Sequence, residues 1–202
     1  MILQNLSNNF KFLILVWNCR SLKTNNTEFN QFISRSKPHV IFLCETWLKL
    51  SDKIKFPNYN IFRKDRFGKG GGVAIMVNKS IPSRNYNNFK YFEGGTLETL
   101  VIQIKNNNTW IDLCSVYNPC KNVSNAELSY YFDSLSQNAL VCGDFNAHHP
   151  NWSSNLNNRT RLNLQVVHWQ TSFSITLTLL SSLHQRLQHT IISNTTSHQP
   201  LI

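Results

Sequence analysis

The sequence is poor in acidic residues and has none at all over its last 58 positions. Its 202 residues include 20 Lys or Arg and ten Asp or Glu, which gives a formal net charge of +10. All ten acids lie within residues 1–144, and residues 145–202 contain none. A basic domain of this size predicts a polyanionic partner, most simply nucleic acid, although generic surface charge is the alternative.

Long apolar runs are also missing. No run approaches the roughly 18 residues that a membrane span needs, so no membrane association is expected. Residues 12–17 form an apolar run near the start, but it is too short for a signal sequence and lacks a basic flank. Hydrophobic residues still make up 41% of the chain, with 13 Phe and five Trp, which is typical of one globular domain.

Cysteine is scarce and odd in number, with five residues and no pair at metal-ligand spacing. This argues against both a disulfide framework and a structural zinc site. Cys44, Cys114 and Cys142 fall inside apolar runs, which predicts buried, reduced thiols. A nuclear or cytoplasmic, intracellular location is therefore expected.

The first half of the chain predicts a strand, a helix and a second strand. Residues 12–17 and 40–44 are continuous apolar runs, and residues 27–35 carry apolar positions at helical spacing before Pro38. All-apolar strands joined by a helix indicate parallel strands in a sheet that is covered on both faces. Their ends would lie side by side, which brings Asn18 close to Glu45.

A hairpin and a helix follow in the second half. Residues 98–104 and 109–116 both alternate around an Asn-rich turn, which predicts a β-hairpin that ends at Tyr117. Residues 124–137 predict a helix that begins with a capping box of Ser124 and Glu127. A tyrosine at a strand end is usually part of a core rim, but its hydroxyl can also donate to a developing oxyanion.

Residues 139–149 carry the densest group of polar side chains. An apolar run ends at Gly143, and Asp144 and Asn146 follow it two positions apart. Carboxylate and amide oxygens at a strand end are the hard ligands that Mg²⁺ prefers. The alternatives are an ordinary Asp/Asn turn or, with His148 and His149, a zinc site, for which further nitrogen or sulfur ligands are distant in the sequence.

Residues 63–72 are basic and rich in glycine and lead into an apolar run. They do not form a P-loop, because no Gly-Lys-Ser/Thr follows and no helix opens after them. A hairpin turn explains the glycines. Arg63, Arg66 and Lys69 could in addition reach a phosphate backbone, and the two interpretations are compatible.

Five short motifs in this order resemble the exonuclease–endonuclease–phosphatase superfamily. They are Trp17-Asn18, Glu45-Thr-Trp47, Gly70-Gly-Gly-Val-Ala-Ile75, Val116-Tyr-Asn-Pro119 and Gly143-Asp-Phe-Asn-Ala-His-His149. The residues of the second motif and of the fifth motif are most similar to those of the endonuclease domain of non-LTR (LINE-type, jockey-like) retrotransposons. The resemblance covers roughly residues 11–160.

The resemblance implies an α/β fold, a DNase I-like four-layer sandwich of two mixed sheets flanked by helices, and a DNA-nicking activity that depends on Mg²⁺ or Mn²⁺. By motif position it implies that Glu45 and Asn18 hold the metal and that Tyr117 steadies the scissile phosphate. Asp144 and Asn146 would position the attacking water and the phosphate oxygens. It also implies a longer native polyprotein that carries a reverse transcriptase.

The chain departs from the family pattern after residue 160. The superfamily ends with an Asp and a Ser-Asp-His strand end, and this chain has no acid after Asp144. We therefore expect a truncated catalytic domain in residues 1–160, an atypical tail in residues 161–202 and an incomplete second sheet. A reading-frame shift or a decayed copy between Asn151 and His168 explains this most simply, and a normal but acid-free C-terminal extension is the alternative.

Three functions remain open at this point. The first is a metal-dependent DNA endonuclease whose activity is impaired by the missing Asp and His. The second is a catalytically dead remnant that still binds nucleic acid. The third is a phosphoesterase for a small or lipid phosphate, which the net charge of +10 disfavours.

Overall fold

The computed structural model describes residues 12–146 and, beyond them, the backbone of residues 168–169, 175–179 and 190–193. Two helices and eleven strands lie in these ranges. In chain order they are β1 (Phe12–Asn18), α1 (Asn26–Ser36), β2 (Val40–Cys44), β3 (Tyr59–Lys64), β4 (Val73–Asn78), β5 (Ser83–Asn85), β6 (Glu98–Asn106), β7 (Thr109–Tyr117), α2 (Asn125–Ser134), β8 (Ala139–Asp144), β9 (His168–Trp169), β10 (Ile175–Leu179) and β11 (Thr190–Ser193).

The strands form two mixed sheets. The first has the order β11-β10-β1-β2-β4-β3 and the second the order β5-β6-β7-β8-β9. β1 pairs in parallel with β2, and β7 pairs in parallel with β8. Each of these two pairs is joined by a helix, so the carboxyl ends of β1, β2, β7 and β8 lie at one rim of the molecule.

Three apolar clusters define four layers. The largest lies between the sheets and joins Val16 and Phe42 of the first sheet to Ile102 and Leu113 of the second. A second cluster packs α1 on the outer face of the first sheet, and a third packs α2 on the outer face of the second sheet. The predicted four-layer α/β sandwich of two mixed sheets is therefore confirmed.

Two local predictions, a helix and a hairpin, are confirmed. The predicted helix over residues 27–35 is α1, and the predicted hairpin is β6 and β7, paired from Glu98↔Tyr117 to Asn106↔Thr109. Residues 80–95 contain the short strand β5. Several aromatic side chains of that segment pack against α2, which explains why a surface loop is so rich in them.

Helix α2 begins as predicted but uses its acid differently. The Ser124 side chain accepts a hydrogen bond from the Glu127 amide at 3.1 Å. The Glu127 carboxylate is buried and accepts from the amides of Thr96 and Leu97, at 3.0 and 2.8 Å. The predicted capping box is thus half formed, because this carboxylate ties the loop before β6 to the start of α2.

Three of the strands come from the region predicted to lie outside the fold. β9 pairs antiparallel with β8, β10 pairs in parallel with β1, and β11 pairs antiparallel with β10. The domain boundary at residue 160 and the incompleteness of the second sheet stay predictions.

Helices α1 and α2 have 11 and 10 residues, and neither helix in the described part of the chain is long and apolar enough to cross a bilayer. The five cysteines carry free thiols, and Cys44, Cys114 and Cys142 are buried as predicted. Burial raises the pKa of the Cys114 thiol to about 12, so this thiol stays protonated in the core.

Candidate active site at the strand ends

Four side chains from four strand ends meet at one rim of the sandwich. Asn18 is the last residue of β1, Glu45 directly follows β2, and Tyr117 and Asp144 end β7 and β8. Strand register sets this arrangement, because Asn18 pairs with Cys44 and Tyr117 pairs with Asp144. The sequence predicted this convergence for each of these positions.

Hydrogen bonds join these side chains across the two sheets. The amide nitrogen Nδ2 of Asn18 donates to Glu45 Oε1 at 2.8 Å and to Asp144 Oδ2 at 2.7 Å. The Tyr117 hydroxyl donates to Glu45 Oε1 at 3.0 Å. Two carboxylates are thus bridged by one neutral amide, and we call Asn18, Glu45, Tyr117 and Asp144 the rim group.

Asn146 borders the rim group through its backbone. Its amide donates to Asp144 Oδ1 at 3.0 Å, while its side-chain nitrogen donates to the Asn118 carbonyl at 2.6 Å. The Asn118 amide donates in turn to the Asp144 carbonyl at 2.8 Å. The segment after β8 is therefore fixed against the segment after β7, which holds Asp144 in place.

The backbone around the rim group is unusual. Glu45, Trp47 and Asn146 have φ angles of 53°, 52° and 46°. These values lie in the left-handed region of backbone conformation, which residues other than glycine and asparagine seldom adopt. The amides of Thr46 and Trp47 are held by the carbonyls of the glycine-rich turn, at 3.1 and 2.9 Å. Such strain costs on the order of 1 kcal/mol or more per residue and concentrates at functional sites.

Gly143 is required by the close approach of β7 and β8. A Cβ at this position would lie 1.8 Å from the Val116 carbonyl oxygen, a distance that no real pair of non-bonded atoms adopts. Val116 and Gly143 are direct register partners. Glycine therefore lets β8 run close to β7 and deliver Asp144 opposite Tyr117.

Burial and a neighbouring charge raise the pKa values of two members of the rim group, Asp144 and Tyr117. Burial raises the pKa of Asp144, with the nearby Glu45 charge adding to the rise, while hydrogen bonds from Asn18 and Asn146 oppose it. Burial and the neighbouring Glu45 carboxylate also raise the pKa of the Tyr117 hydroxyl above its usual range. Tyr117 is therefore a neutral hydrogen-bond donor at physiological pH.

The donor set fits a hard divalent metal. Asn18 Oδ1 is buried and has no hydrogen-bond partner in the structure, while Nδ2 of the same amide donates to the Glu45 and Asp144 carboxylates. An amide oxygen and carboxylates suit Mg²⁺ or Mn²⁺, and Mg²⁺ commonly binds one or two protein carboxylates and several waters. Among the described residues there is no group of three or more His, Cys, Asp or Glu side chains that could hold a metal ion.

One residue that the sequence did not single out, Glu98, supports the glycine-rich turn between β3 and β4. Glu98 accepts a short hydrogen bond and ion pair from the Arg66 guanidinium, and it accepts from the Gly72 amide at 2.6 Å. Arg66 in turn lies 5.8 Å from the centre of the Tyr117 ring. Glu98 is the register partner of Tyr117, so β6 holds this arginine beside the rim group. An acid at the start of an alternating strand offered no sequence indication of this role.

The three predicted nucleic-acid contacts differ in their surroundings. Arg66 borders the rim group, and Lys69 is exposed in the same turn. Arg63 is partly buried and donates to the carbonyls of Lys49 and Asp52 at 3.1 and 3.0 Å. Its donors are used by the 49–52 loop, so the structure offers a structural role for Arg63, and its contact with nucleic acid stays a prediction.

His148 and His149 lie outside the described residues, as do the side chains of the tail histidines that follow them. The fold and the rim group together define an α/β two-sheet protein with an acidic, hard-ligand site at the carboxyl ends of its strands.

Comparison with known proteins places the chain in a family. Residues 15–199 match the Endonuclease/Exonuclease/phosphatase family, and the chain belongs to it. No curated protein matches the sequence.

The chain is similar to several solved structures at low identity. The endonuclease domain of TRAS1, a telomere-specific non-LTR retrotransposon, superposes with a TM-score of 0.56 and 18% identity, over 72% of this chain and 65% of that one. An AP endonuclease from Archaeoglobus fulgidus gives 0.49 and 18%, over 70% and 62%. Danio rerio TDP2 in complex with a single-stranded DNA product gives 0.44 and 19%, over 69% and 62%. The chain thus spans slightly less than two thirds of the length of these structures.

Proposed function

We propose that this chain is a divalent-metal-dependent endonuclease that hydrolyses a phosphodiester of DNA. The observation that supports it most directly is the rim group, in which Asn18 bridges Glu45 and Asp144 at 2.8 and 2.7 Å. Membership of a family named for nucleases and phosphatases supports phosphoester chemistry in general. The net charge of +10 favours a polyanionic substrate over a small phosphate.

Hydrolysis assigns a distinct task to each side chain. A water oxygen forms a bond to phosphorus, its proton passes to Asp144, and the bond from phosphorus to one sugar oxygen breaks. That oxygen leaves with the bonding electrons and takes a proton from solvent. The Asn146 amide and the Asn18 side chain donate to the Asp144 carboxylate at 3.0 Å and 2.7 Å. These two hydrogen bonds hold the carboxylate in one orientation, so that it can accept the proton.

Tyr117 steadies the phosphate in this proposal. Because burial and the Glu45 charge raise its pKa, the phenol keeps its proton and can donate to a phosphate oxygen. In the structure this proton is donated to Glu45 at 3.0 Å. Arg66 is held 5.8 Å from the centre of the Tyr117 ring. Its guanidinium would add positive charge on the same side of the phosphate.

Glu45 and Asn18 would hold Mg²⁺ or Mn²⁺. The buried, unpartnered Asn18 Oδ1 is the oxygen that such an ion would engage. When bound, the ion supplies positive charge that stabilises the phosphate oxygens in the transition state. Removing one stabilising contact of this kind typically costs about 10²–10³ in rate.

The native context remains part of the proposal. The sequence motifs resemble endonuclease domains of non-LTR retrotransposons, so we propose that the chain derives from a polyprotein that also carries a reverse transcriptase. We propose residues 1–160 as the catalytic part of such a domain. Nicking is expected to be slow, because no acid follows Asp144 to supply the closing Asp-His pair of the family.

A second candidate is a catalytically dead remnant that still binds nucleic acid. The observation that favours it is the same absence of acids from residues 145–202 together with the excess of Lys and Arg. A remnant would keep steeply salt-dependent DNA binding, because phosphate contacts release counterions, but it would not cut.

A supercoiled-plasmid assay separates the two candidates. With Mg²⁺ the purified chain is expected to convert supercoiled plasmid to the open-circular form, and Glu45→Ala is expected to lose this activity. Chelation with EDTA provides the metal control, and Glu28→Ala, an exposed acid in the first turn of α1, provides the matched acid control. Plasmid binding without any nicking would favour the remnant.

A further inference from the structure

Two loops beside the rim group expose apolar side chains to solvent. Trp47 and Leu50, in the loop after β2, are 45% and 90% exposed, and Phe67, in the turn between β3 and β4, is fully exposed. They are three of the five large hydrophobic side chains exposed in the described part of the chain. Large exposed apolar side chains that lie close together often mark an interaction site.

A cleft of about 710 Å³ lies between these loops. Leu50, Phe67, Lys49, Arg66 and Lys69 are among the residues that line it. The loops are tied together, since the Trp47 amide donates to the Gly71 carbonyl at 2.9 Å. The cleft is therefore an organised part of the rim and not an accident of two independent loops.

The cleft presents mainly positive charge. Lys49 and Lys69 are exposed along it. Asp65 is the acidic residue among those described that line it, but its side chain is 4% exposed and lies 3.3 Å from the Arg63 guanidinium. Cations around an exposed aromatic ring match the alternation of phosphate and base along a nucleic acid strand.

The position of the cleft relates it to the site. Trp47 lies two residues after Glu45, and Arg66 reaches from the cleft to within 5.8 Å of the Tyr117 ring. A strand whose phosphodiester lay at the rim group would therefore pass its neighbouring nucleotides along the cleft. An anionic lipid surface would also match apolar side chains flanked by lysines, but the position of the cleft beside the rim group favours a nucleic acid strand.

We propose that the cleft binds an unstacked base of the DNA strand next to the scissile phosphate. The base stacks on the Phe67 ring, and Lys49 and Lys69 contact the flanking phosphates. This inference rests on the proposed function, since it assumes that the rim group acts on a nucleic acid phosphodiester.

The test compares binding of two oligonucleotides to the full chain in EDTA, so that no cutting is needed. One is a fluorescently labelled single-stranded oligonucleotide, and the other has the same length and phosphates but abasic sugars at its central positions. Stacking of one base is expected to make the first bind roughly tenfold more tightly. Phe67→Ala is expected to remove this preference without changing the affinity for the abasic strand.

Matched variants show whether the aromatic ring of Phe67 is responsible for the preference for the strand that carries bases. Phe67→Tyr keeps an aromatic face and is expected to keep the preference, whereas Phe67→Leu keeps an apolar side chain and is expected to lose it. Phe132→Ala, which truncates a 39% exposed phenylalanine on α2, is expected to behave as wild type. Lys69→Ala is expected to weaken both oligonucleotides alike and to reduce the salt slope by about one.

Each outcome bears on one of the two proposals. Equal affinity of the wild type for both oligonucleotides would overturn the base site, and so would an equal loss on both in Phe67→Ala. Base-dependent binding through Phe67 in a chain that does not nick plasmid would leave the base site standing and overturn the hydrolytic function. Absence of any DNA binding would overturn both.

Discussion

Asn18 and Asp144, 126 positions apart in the sequence, are joined by a hydrogen bond of 2.7 Å between the ends of strands from different sheets. The same Asn18 nitrogen also donates to Glu45 at 2.8 Å. One amide thus keeps two carboxylates together without neutralising either. The arrangement therefore retains a negative charge that a cation can use.

Removal of this bridge is expected to affect activity more than the fold. Asn18→Ala leaves two close carboxylates without their shared donor, and it removes the amide oxygen proposed to hold the metal. We expect plasmid nicking to fall by about 10²–10³. Asn30→Ala, which removes an amide on α1 that bonds its own helix at 2.9 Å, is the control and should nick at the wild-type rate. Nicking by Asn18→Ala at the wild-type rate would show that the bridge has no part in the chemistry.

Asp144→Asn is expected to remove a pH-dependent loss of stability while abolishing nicking. Burial raises the folded-state pKa of Asp144 above its unfolded value of about 3.9, so the folded protein prefers the protonated acid. The stability contributed by this protonation is fully present below the unfolded pKa and is lost as pH rises through the raised folded pKa. An isosteric amide avoids that loss.

Urea unfolding at a series of pH values measures this effect. The free energy of unfolding of Asp144→Asn relative to that of the wild type should rise with pH from the unfolded pKa of about 3.9 to the raised folded pKa and stay constant above it. Asp133→Asn, an exposed acid on α2, should show no such divergence. A difference in stability that does not change with pH would mean that folding does not raise the pKa of Asp144.

Gly143→Ala is expected to cost more stability than an ordinary glycine replacement. The added Cβ would overlap the Val116 carbonyl, 1.8 Å away, and the backbone of a central strand pair cannot move aside cheaply. We expect a loss of about 3 kcal/mol or more, at the upper end for overpacked cores. Gly94 has open space around its Cβ position and a φ of 68°. Gly94→Ala should therefore lose only about 1–2 kcal/mol from backbone strain. Equal losses in chemical denaturation would contradict the close approach of β7 and β8.

Glu98 is expected to act through Arg66. Glu98→Gln keeps an oxygen for the Gly72 amide, which Glu98 binds at 2.6 Å, but removes the charge that holds the guanidinium. We expect kcat for nicking to fall while the affinity for DNA changes little. In a double-mutant cycle with Arg66→Ala, the loss of transition-state stabilisation in the double mutant should be smaller than the sum of the two single losses by about 0.5–3 kcal/mol.

Arg84→Ala is the matched control for that cycle, because Arg84 stacks on Trp110, 3.8 Å from the ring centre, on the edge of the second sheet. It should show additive behaviour with Glu98→Gln. Additive losses for Arg66 and Glu98 would instead mean that the two residues act independently.

The sequence was informative where local pattern and chemistry coincide. Asn18, Glu45 and Asp144 directly end or follow continuous apolar strands, and parallel pairing brings such ends together whatever the loops between them do. The strand-ending position of Tyr117 was also readable, because it closes an alternating run. Their hydrogen bonds confirm the predicted convergence, while their catalytic roles stay predictions.

Partners that are distant in the sequence could not be read in the same way. Glu98 and Glu127 bind groups 26–32 positions away, and their own neighbours are ordinary strand and helix residues. The guanidinium of Arg63 is held by backbone carbonyls of the 49–52 loop, and every residue has such a carbonyl, so the sequence does not mark these partners. Tertiary placement decides each of these contacts, so composition and periodicity cannot foresee them.

Direct metal binding tests the central claim, that Asn18 and Glu45, at the ends of two neighbouring strands of the first sheet, hold one divalent cation. Isothermal titration of Mn²⁺ into the metal-free chain is predicted to show one site in the wild type and in Asp133→Asn, and greatly weakened binding in Asn18→Ala and Glu45→Gln. Equal Mn²⁺ affinity in all four proteins, or no binding by the wild type, would contradict the account.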